Sequence, residues 1–192
     1  MKITTEKETI LNALLALSEG LDFPNLRVVT LTSENPLLRY VAPIKELEVC
    51  WNLLTGWMQS LSSPEERLNQ LQTAYYRMFL QPGAVLPVYL HLWYPNESPA
   101  TFLAELQNFL FRMKLMQSPG WRNGTDHLAV VFETIAHLVV TENSSLSQFT
   151  VRFLQPWFSA FVCGLKEEAS NDFYVAMSII AREVDHAMET LI

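Results

Sequence analysis

Apolar residues recur every three or four positions along most of this chain, as in residues 44–61 and 125–139. This spacing places them on one face of an α-helix. Most of the ten prolines fall between such segments, which supports the same boundaries because proline opens or ends helices. The pattern predicts an all-α fold in which eight to ten helices form a single globular domain over residues 1–192. The predicted helical segments are 5–20, a short helix from 35, 44–61, 63–79, 98–113, 125–139, 146–154, 157–165 and a last helix from 170 onward.

Several of these segments begin with a capping residue. The Ser-Pro pairs at 63–64 and 98–99 each place a hydroxyl just before a proline at the first helical position. Thr125 is predicted to cap the helix that follows it, and residues 170–171 to cap the last helix. Residues 28–31 are the only strand-like run, and they are too short and isolated to imply a sheet.

Residues 75–95, YYRMFLQPGAVLPVYLHLWYP, interrupt the helical pattern. Proline followed by glycine at 82–83 stops a helix, because proline has no N–H to donate and its ring clashes with the preceding turn. Aromatic rings in an irregular loop are costly unless they pack inward or meet a ligand. This stretch is therefore either a loop held to the core by its rings or a preformed aromatic docking site.

Composition and charge narrow the possible partners. The chain is 49% hydrophobic and 17% charged, which predicts a sizeable core rather than disorder. Its net charge is −7 and it has no cluster of lysine and arginine, so nucleic acid is not an expected partner. A cationic peptide, by contrast, would be attracted.

Other sequence features point to a reducing compartment. Cys50 and Cys163 each lie in a helical apolar pattern and are predicted to be small buried hydrophobes rather than a disulfide. The first ten residues carry charges where a signal peptide needs apolar residues, and no apolar run approaches the length of a membrane span. We expect a cytoplasmic protein without an integral membrane segment.

The usual catalytic motifs do not occur in the sequence. It has no glycine-rich phosphate loop, no nucleophile elbow, and no pair of histidines at i and i+4. Asp126 and His127 are adjacent, but neighbours on a helix point about 100° apart and do not form a local catalytic pair. We expect a protein that is not an enzyme and that carries no metal or cofactor.

Three sequence blocks occur in order along the chain. They read Y-x-x-x-F-x-x-P-G-x-x-x-P-x-Y-x-x-x-W over 75–93, T-D-H-L-x-x-x-x-E over 125–133, and F-L-x-P-W-x-x-x-F over 153–161. As an ordered set they resemble the TorD/DmsD family of redox-enzyme maturation chaperones. The resemblance covers about residues 70–180, and the preceding third agrees only in being helical.

This resemblance implies an all-helical, TorD-like cytoplasmic chaperone. Such proteins bind the twin-arginine signal peptide of a molybdoenzyme of the DMSO or TMAO reductase type and hold back its export until the molybdopterin cofactor is inserted. The chain departs from the family pattern at Val88, where a second proline is usual, at His91, where serine is usual, and in residues 122–125, where an acidic residue is usual. Carried over by position, Pro87, Tyr89, Trp93 and the pair Asp126-His127 would belong to the peptide-binding surface. Three neighbouring aromatic residues, Tyr76, Phe79 and Trp121, are further candidates for this surface.

These residue types are chemically suited to binding such a leader. A basic head followed by an apolar, helix-prone segment needs an apolar groove with carboxylates near one end. Tyr89 and Trp93 offer rings that can bury apolar side chains or take an arginine. Asp126 or Glu97 can pair with a guanidinium. The plainer alternative is that Trp93 is a core ring and Glu97 a solvated loop residue.

Two other functions stay open at this point. The first is a chaperone that docks on the mature part of a nitrate-reductase-like molybdoenzyme. The second is a helical nucleotide-binding protein that uses Asp126, His127 and Glu133. For assembly we expect mainly a monomer, with a domain-swapped dimer fraction formed through a hinge in residues 142–145.

Overall fold

A computed structural model of the protein describes residues 5–42, 44–115 and 124–191, with the side chains of residue 5 and residues 189–191 left out of the description. Within these ranges the chain forms an all-helical fold, as predicted. No helix of the described part combines the length and the apolar character that crossing a membrane requires. Its nine α-helices are α1 (Thr5–Leu21), α2 (Pro36–Val41), α3 (Glu48–Ser60), α4 (Pro64–Tyr75), α5 (Pro99–Arg112), α6 (Leu128–Val140), α7 (Leu146–Phe153), α8 (Phe158–Glu168) and α9 (Asp172–Leu191).

Helices α1 and α9 lie at the centre of the fold. Helix α1 packs against α2, α6 and α9, and α9 also packs against α3 and α8. The two central helices approach closely at Gly20, where an added Cβ atom would overlap Sδ of Met177. A side chain at position 20 would therefore collide with α9 unless Met177 moved.

The predicted helix starts at 35, 63 and 171 are confirmed by their capping bonds. Oδ1 of Asn35 accepts hydrogen bonds from the backbone N–H groups of Leu37 and Leu38. Oγ of Ser63 accepts from Glu66 N–H at 3.2 Å, and Oδ1 of Asn171 accepts from Tyr174 N–H at 3.1 Å. Each bond satisfies a backbone donor that the first helical turn leaves unpaired.

The strand-like run at residues 28–31 does not form a strand. A 3₁₀ turn occupies Leu26–Val29 instead, and Oδ1 of Asn25 caps it by accepting from Arg27 N–H at 2.9 Å. The side-chain amide of Asn35 donates to the carbonyl oxygens of Val28 and Thr30. This buried amide satisfies acceptors that a neighbouring strand would otherwise use, and the absence of a sheet around this run agrees with the prediction.

The two cysteines differ in their surroundings. Cys50 is buried on α3, as predicted, and burial raises its pKa to about 12. Cys163 is exposed, so its predicted burial was wrong. The buried face of α8 carries Phe158, Phe161 and Leu165, and position 163 points to the opposite side of the same helix.

Candidate docking surface

The loop that follows α4 is fastened to the fold at several points. Helix α4 passes at Tyr75 into a wide π turn over Tyr76–Leu80. Gly83 then adopts a left-handed φ of +84°, a backbone conformation open to glycine. Further on, the buried side chain of Leu86 lies so close to α8 that a Cβ atom added at Gly164 would be 2.7 Å from its Cδ2. The loop is therefore held to α8 by a close contact.

A short antiparallel bridge joins this loop to the segment before α6. The N–H of Leu90 donates to the carbonyl of Asp126 at 2.7 Å, and the N–H of Leu128 donates to the carbonyl of Val88 at 2.9 Å. His127 is extended to make this bridge, so the helix begins only at Leu128. The predicted cap at Thr125 was therefore wrong, and His127 caps α6.

His127 connects three parts of the interior. It is buried, with 1% of its surface exposed, and its Nδ1 accepts the capping bond from Ala129 N–H at 3.2 Å. The proton of the neutral ring is thus assigned to Nε2, which lies 3.3 Å from the hydroxyl of Tyr75. That hydroxyl in turn donates to the carbonyl of Leu21 at 3.4 Å. Burial lowers the pKa of His127, while the charges of Asp22 and Asp126 act in the opposite direction.

Asp126 pairs with a residue that sequence reasoning did not connect with it. Its Oδ2 lies 2.5 Å from Nδ1 of His91, and only 5% of its surface is exposed. The two residues are 35 positions apart, so no local spacing indicated the pair. The signal in the sequence was the departure from the family pattern at His91, where serine is usual.

Trp93 fastens the same loop to α8. Its Nε1 donates to the carbonyl of Pro87 at 3.0 Å, and this hydrogen bond within the loop stabilises its conformation. Its ring centroid lies 5.5 Å from that of Trp157 and 6.2 Å from that of Phe161. Trp157 is buried just before α8. The first and third sequence blocks meet at this aromatic contact, and the bridge to residue 127 joins the second, so all three blocks converge.

The eight candidate peptide-binding residues differ in accessibility. Phe79 is buried against Tyr75 and Tyr174, whereas Tyr76 is 55% exposed and Tyr89 is 36% exposed. The Tyr89 ring lies edge-on to His127, with 5.5 Å between the ring centroids. Trp121 lies outside the described residues. Of the twelve large apolar side chains that are exposed in the described ranges, five lie in this loop and its π turn, and they are Tyr76, Leu80, Val85, Tyr89 and Leu92.

Glu97 already has a cationic partner within the chain. Nη2 of Arg152 lies 2.7 Å from a carboxylate oxygen of Glu97 and 2.7 Å from one of Glu105. The same guanidinium lies 5.1 Å from the ring centroid of Tyr94. Its hydrogen bond lowers the pKa of Glu105. Glu97 was expected to accept a guanidinium from a partner, but its carboxylate is already paired with the guanidinium of Arg152.

A second concave region, a groove with a volume of about 710 Å³, lies beside the first turns of α6. Sequence reasoning missed it, although Glu133 of the second block lines it. Its walls come from the end of α1, the segment after it, α4 and α6. The residues that line it are Ser18, Glu19, Asp22, Phe23, Pro24, Asn25, Leu26, Arg27, Leu68, Gln72, Ala129, Val130 and Glu133.

Asp126 and His127 have structural roles in this region. Among the described residues, no group of three or more His, Cys, Asp or Glu side chains comes together as a metal site would require. Asp126 and His127 are each engaged in bonds that hold the loop and the helix. What the region offers to a partner is apolar surface next to carboxylates.

Comparison with known protein families identifies the chain. Residues 45–163, more than half of it, match the model of the family described as nitrate reductase delta subunit, and the match includes all three blocks. The chain belongs to the nitrate reductase delta subunit family. No curated protein matches it significantly.

Membership in the nitrate reductase delta subunit family has a functional meaning. It is a family of chaperones for molybdoenzyme maturation, not a catalytic one. The prediction of a redox-enzyme maturation chaperone is thus confirmed at this level. The narrower TorD/DmsD assignment, and with it the twin-arginine leader as ligand, stays a prediction.

Proposed function

We propose that this member of the nitrate reductase delta subunit family acts in the cytoplasm by binding a basic, apolar leader segment of a molybdoenzyme catalytic subunit. Binding keeps the client from being exported or membrane-assembled before its molybdopterin cofactor is inserted. The observation that carries this proposal is the concentration of exposed apolar side chains on a loop that is fixed to the fold at residues 86, 88–90 and 93.

A fixed apolar loop is a better binding surface than a mobile one. The bridge to the start of α6 and the Trp93 bond to Pro87 order the loop before any ligand arrives. Little conformational entropy is then lost on binding, so more of the apolar contact energy appears as affinity. Tyr89 is the strongest anchor candidate because its exposed ring rests on the buried ring of His127.

Charge supports a cationic segment as the ligand. The chain carries 20 acidic and 13 basic residues, for a net charge of −7. The long-range field therefore attracts a leader with a basic head and raises its association rate. A neutral or acidic segment would gain nothing from this field.

The family match favours a second candidate within the same chaperone class. In it, the client is a nitrate-reductase-like catalytic subunit, and the chaperone docks on the mature part of that subunit. Both candidates use the apolar loop. They differ in whether a leader peptide alone is sufficient for binding.

Fluorescence anisotropy with labelled peptides tests the proposal. The probe is a synthetic peptide of about 25 residues with an S-R-R-x-F-L-K core followed by an apolar segment. Tyr89→Ala is expected to weaken its binding about tenfold or more, because an aromatic anchor is lost. The matched control is Val151→Ala, which removes an exposed apolar side chain from α7 instead and is expected to leave binding unchanged.

Each variant must first show the helicity and melting temperature of the wild-type protein. Tight leader binding that is unaffected by Tyr89→Ala would place the docking surface elsewhere. No leader binding, together with capture of a cofactor-free catalytic subunit lacking its leader, would favour the second candidate.

We further propose a single domain that is mainly monomeric, with residues 142–145 as a hinge for exchange between copies. In this turn Glu142 has a left-handed φ of 48° and forms an ion pair with Lys7 of α1 at 2.7 Å. Opening the turn breaks an exposed ion pair, which contributes little to stability. Light scattering that found only a concentration-independent higher oligomer would contradict this proposal.

A further inference from the structure

His91 lies at the edge of the apolar loop, next to an exposed ring. It belongs to the 3₁₀ turn Leu90–Trp93. Leu90 before it is buried and Leu92 after it is exposed, so His91 stands at the boundary between core and surface. Its side chain is 24% exposed, and its ring centroid lies 6.2 Å from that of Tyr89. A polar ring therefore borders the apolar side chains that the proposed function assigns to a client.

The carboxylate that pairs with His91 is less accessible. The side chain of Asp126 is only 8% exposed. One of its oxygens, Oδ2, lies 2.5 Å from Nδ1 of His91, and the other, Oδ1, would lie 3.2 Å from a Cβ atom added at Gly124. The backbone carbonyl of Asp126 also accepts from Leu90 N–H, so this residue is bonded to the loop twice. The imidazole is thus the part of the pair that is open to a client.

The pairing decides which nitrogen of His91 is left for a partner. A carboxylate only accepts hydrogen bonds, so the proton of this contact is assigned to Nδ1. Nε2 has no hydrogen-bond partner among the residues that the structure describes. It accepts a hydrogen bond when the ring is neutral and donates one when the ring is protonated. A peptide backbone offers both N–H and C=O groups, so it can bond Nε2 in either state.

We propose that His91 is the polar contact between the apolar loop and the client, and that Asp126 is a positioning residue that acts through His91. An apolar side chain of the client covers Tyr89, and a backbone group next to it bonds Nε2 of His91. This inference rests on the proposed function and assigns the polar contact within the same surface. It differs from the carried-over role of Asp126, in which the carboxylate itself would bind the peptide.

A directed polar group beside an apolar anchor has a specific use. The exposed ring of Tyr89 by itself would bind any apolar side chain, whereas a nitrogen fixed next to it also sets the orientation of the bound segment. Because Asp126 holds the imidazole before any ligand arrives, little rotamer freedom of His91 is lost on binding.

Two substitutions at position 91 separate the bond to Asp126 from the bond to the client. The measurement is fluorescence anisotropy with the labelled leader peptide. In His91→Asn the shorter amide still donates to Asp126 but does not reach the position of Nε2, so affinity is expected to fall about fivefold, as for one lost hydrogen bond. His91→Gln places an amide near the position of Nε2 and should restore part of this loss. The matched control is His137→Asn, an exposed position on α6 where affinity should not change.

A double-mutant cycle tests whether Asp126 acts through His91. Asp126→Asn keeps the size of the side chain and removes its charge. It is expected to weaken leader binding by up to about fivefold in the wild-type background, because the imidazole is held less firmly, and to have no further effect in His91→Asn. A carboxylate that touches the client directly would give the same loss in both backgrounds. Each variant must be folded at the assay temperature, as judged by circular dichroism.

Chemical modification gives a readout of contact that a structural role would not change. Diethyl pyrocarbonate acylates accessible imidazoles, and mass spectrometry then follows each histidine. With the leader at about ten times its dissociation constant, roughly a tenth of the protein is free, so modification of His91 is expected to slow about tenfold. His137 on α6 and His186 on α9 are exposed and serve as internal references whose rates should not change.

The outcomes separate this inference from the proposed function. Leader binding that is as tight in folded His91→Asn as in wild type, or a bound leader that leaves His91 fully reactive, overturns the contact and leaves the chaperone proposal intact. Equal losses from Asp126→Asn in both backgrounds overturn the positioning role. A wild-type protein that binds no leader contradicts the proposed leader function, and the contact at His91 falls with it.

Discussion

Replacing His127 by alanine tests whether this residue organises the docking region from within. The imidazole caps α6 through Nδ1, contacts the Tyr75 hydroxyl through Nε2, and supports the Tyr89 ring. It is only 1% exposed, so it would affect ligand binding through the position of the Tyr89 ring rather than by direct contact with the ligand. Its substitution should therefore lower stability first and affinity as a consequence.

The size of the effect follows from three losses. Removing a helix cap costs about 1 kcal/mol. Losing the buried hydrogen bond to Tyr75 costs about 1 kcal/mol more. Truncating a buried ring leaves a cavity that costs at least about another 1 kcal/mol. The free energy of unfolding should fall by about 3 kcal/mol, a large share of the roughly 5–15 kcal/mol typical of a domain.

Two milder substitutions divide this loss into its parts. His127→Asn places an amide oxygen near Nδ1, so it should keep the cap and recover about 1 kcal/mol. Tyr75→Phe removes the hydroxyl that contacts Nε2 and leaves the cap in place. In a double-mutant cycle, His127→Asn and Tyr75→Phe should be less than additive, because both break the same contact.

The pH dependence gives an independent signature. Burial lowers the pKa of His127 below its usual 6.5, so the folded protein keeps the ring neutral where the unfolded chain protonates it. Between these two pKa values the unfolded state binds more protons, and the free energy of unfolding must fall as the pH falls. His127→Asn should remove this part of the acid sensitivity, so its difference from wild type should shrink as the pH drops below about 6.5.

Urea unfolding followed by circular dichroism at several pH values measures all of these quantities. Wild-type stability in His127→Ala, or an unchanged pH profile in His127→Asn, would refute the network as described. Leader affinity measured on folded His127→Asn then shows whether support of Tyr89 matters for binding.

Three further predictions concern the scaffold and the groove. Gly20→Ala should be less stable in urea than Gly56→Ala, because its Cβ would displace the buried Met177 side chain and offset the helix-forming gain of alanine, whereas Gly56→Ala, with no atom within 4 Å of the new Cβ, should be neutral or slightly stabilising. Arg152→Ala should lower the free energy of unfolding by about 1–2 kcal/mol through lost ring contacts and ion pairs, and lysine at this position should restore only part of it in the same measurement. Glu19→Gln should raise the melting temperature at pH 7, because burial raises the pKa of this carboxyl in the folded state and its ionised form therefore destabilises the fold above pH 4.5, the pKa in the unfolded chain. Melting scans at lower pH should show this gain vanish. A lower melting temperature of the variant at pH 7 would contradict the groove electrostatics.

Local sequence determined most of the helices and where they begin. Hydrophobic spacing and capping residues act within a turn or two, so the starts at 35, 63 and 171 could be predicted without knowledge of the fold. The aromatic loop was also recognisable, because proline and glycine at 82–83 end any helix. Three separated blocks sufficed to indicate the chaperone class, which the family match confirms.

Tertiary structure decided which side chains are available to a partner. Helix α6 begins at 128 rather than at 125, because His127 before it is extended and the backbone of residues 126 and 128 bonds to the loop, a contact between segments almost 40 positions apart. His91 with Asp126 and Arg152 with Glu97 are likewise pairs distant in sequence, and each takes up a carboxylate that seemed open to a ligand. The groove needs walls from α1, α4 and α6 at once. No local sequence pattern predicts these contacts, because they depend on how the helices pack around a shared core and not on the sequence of any one helix.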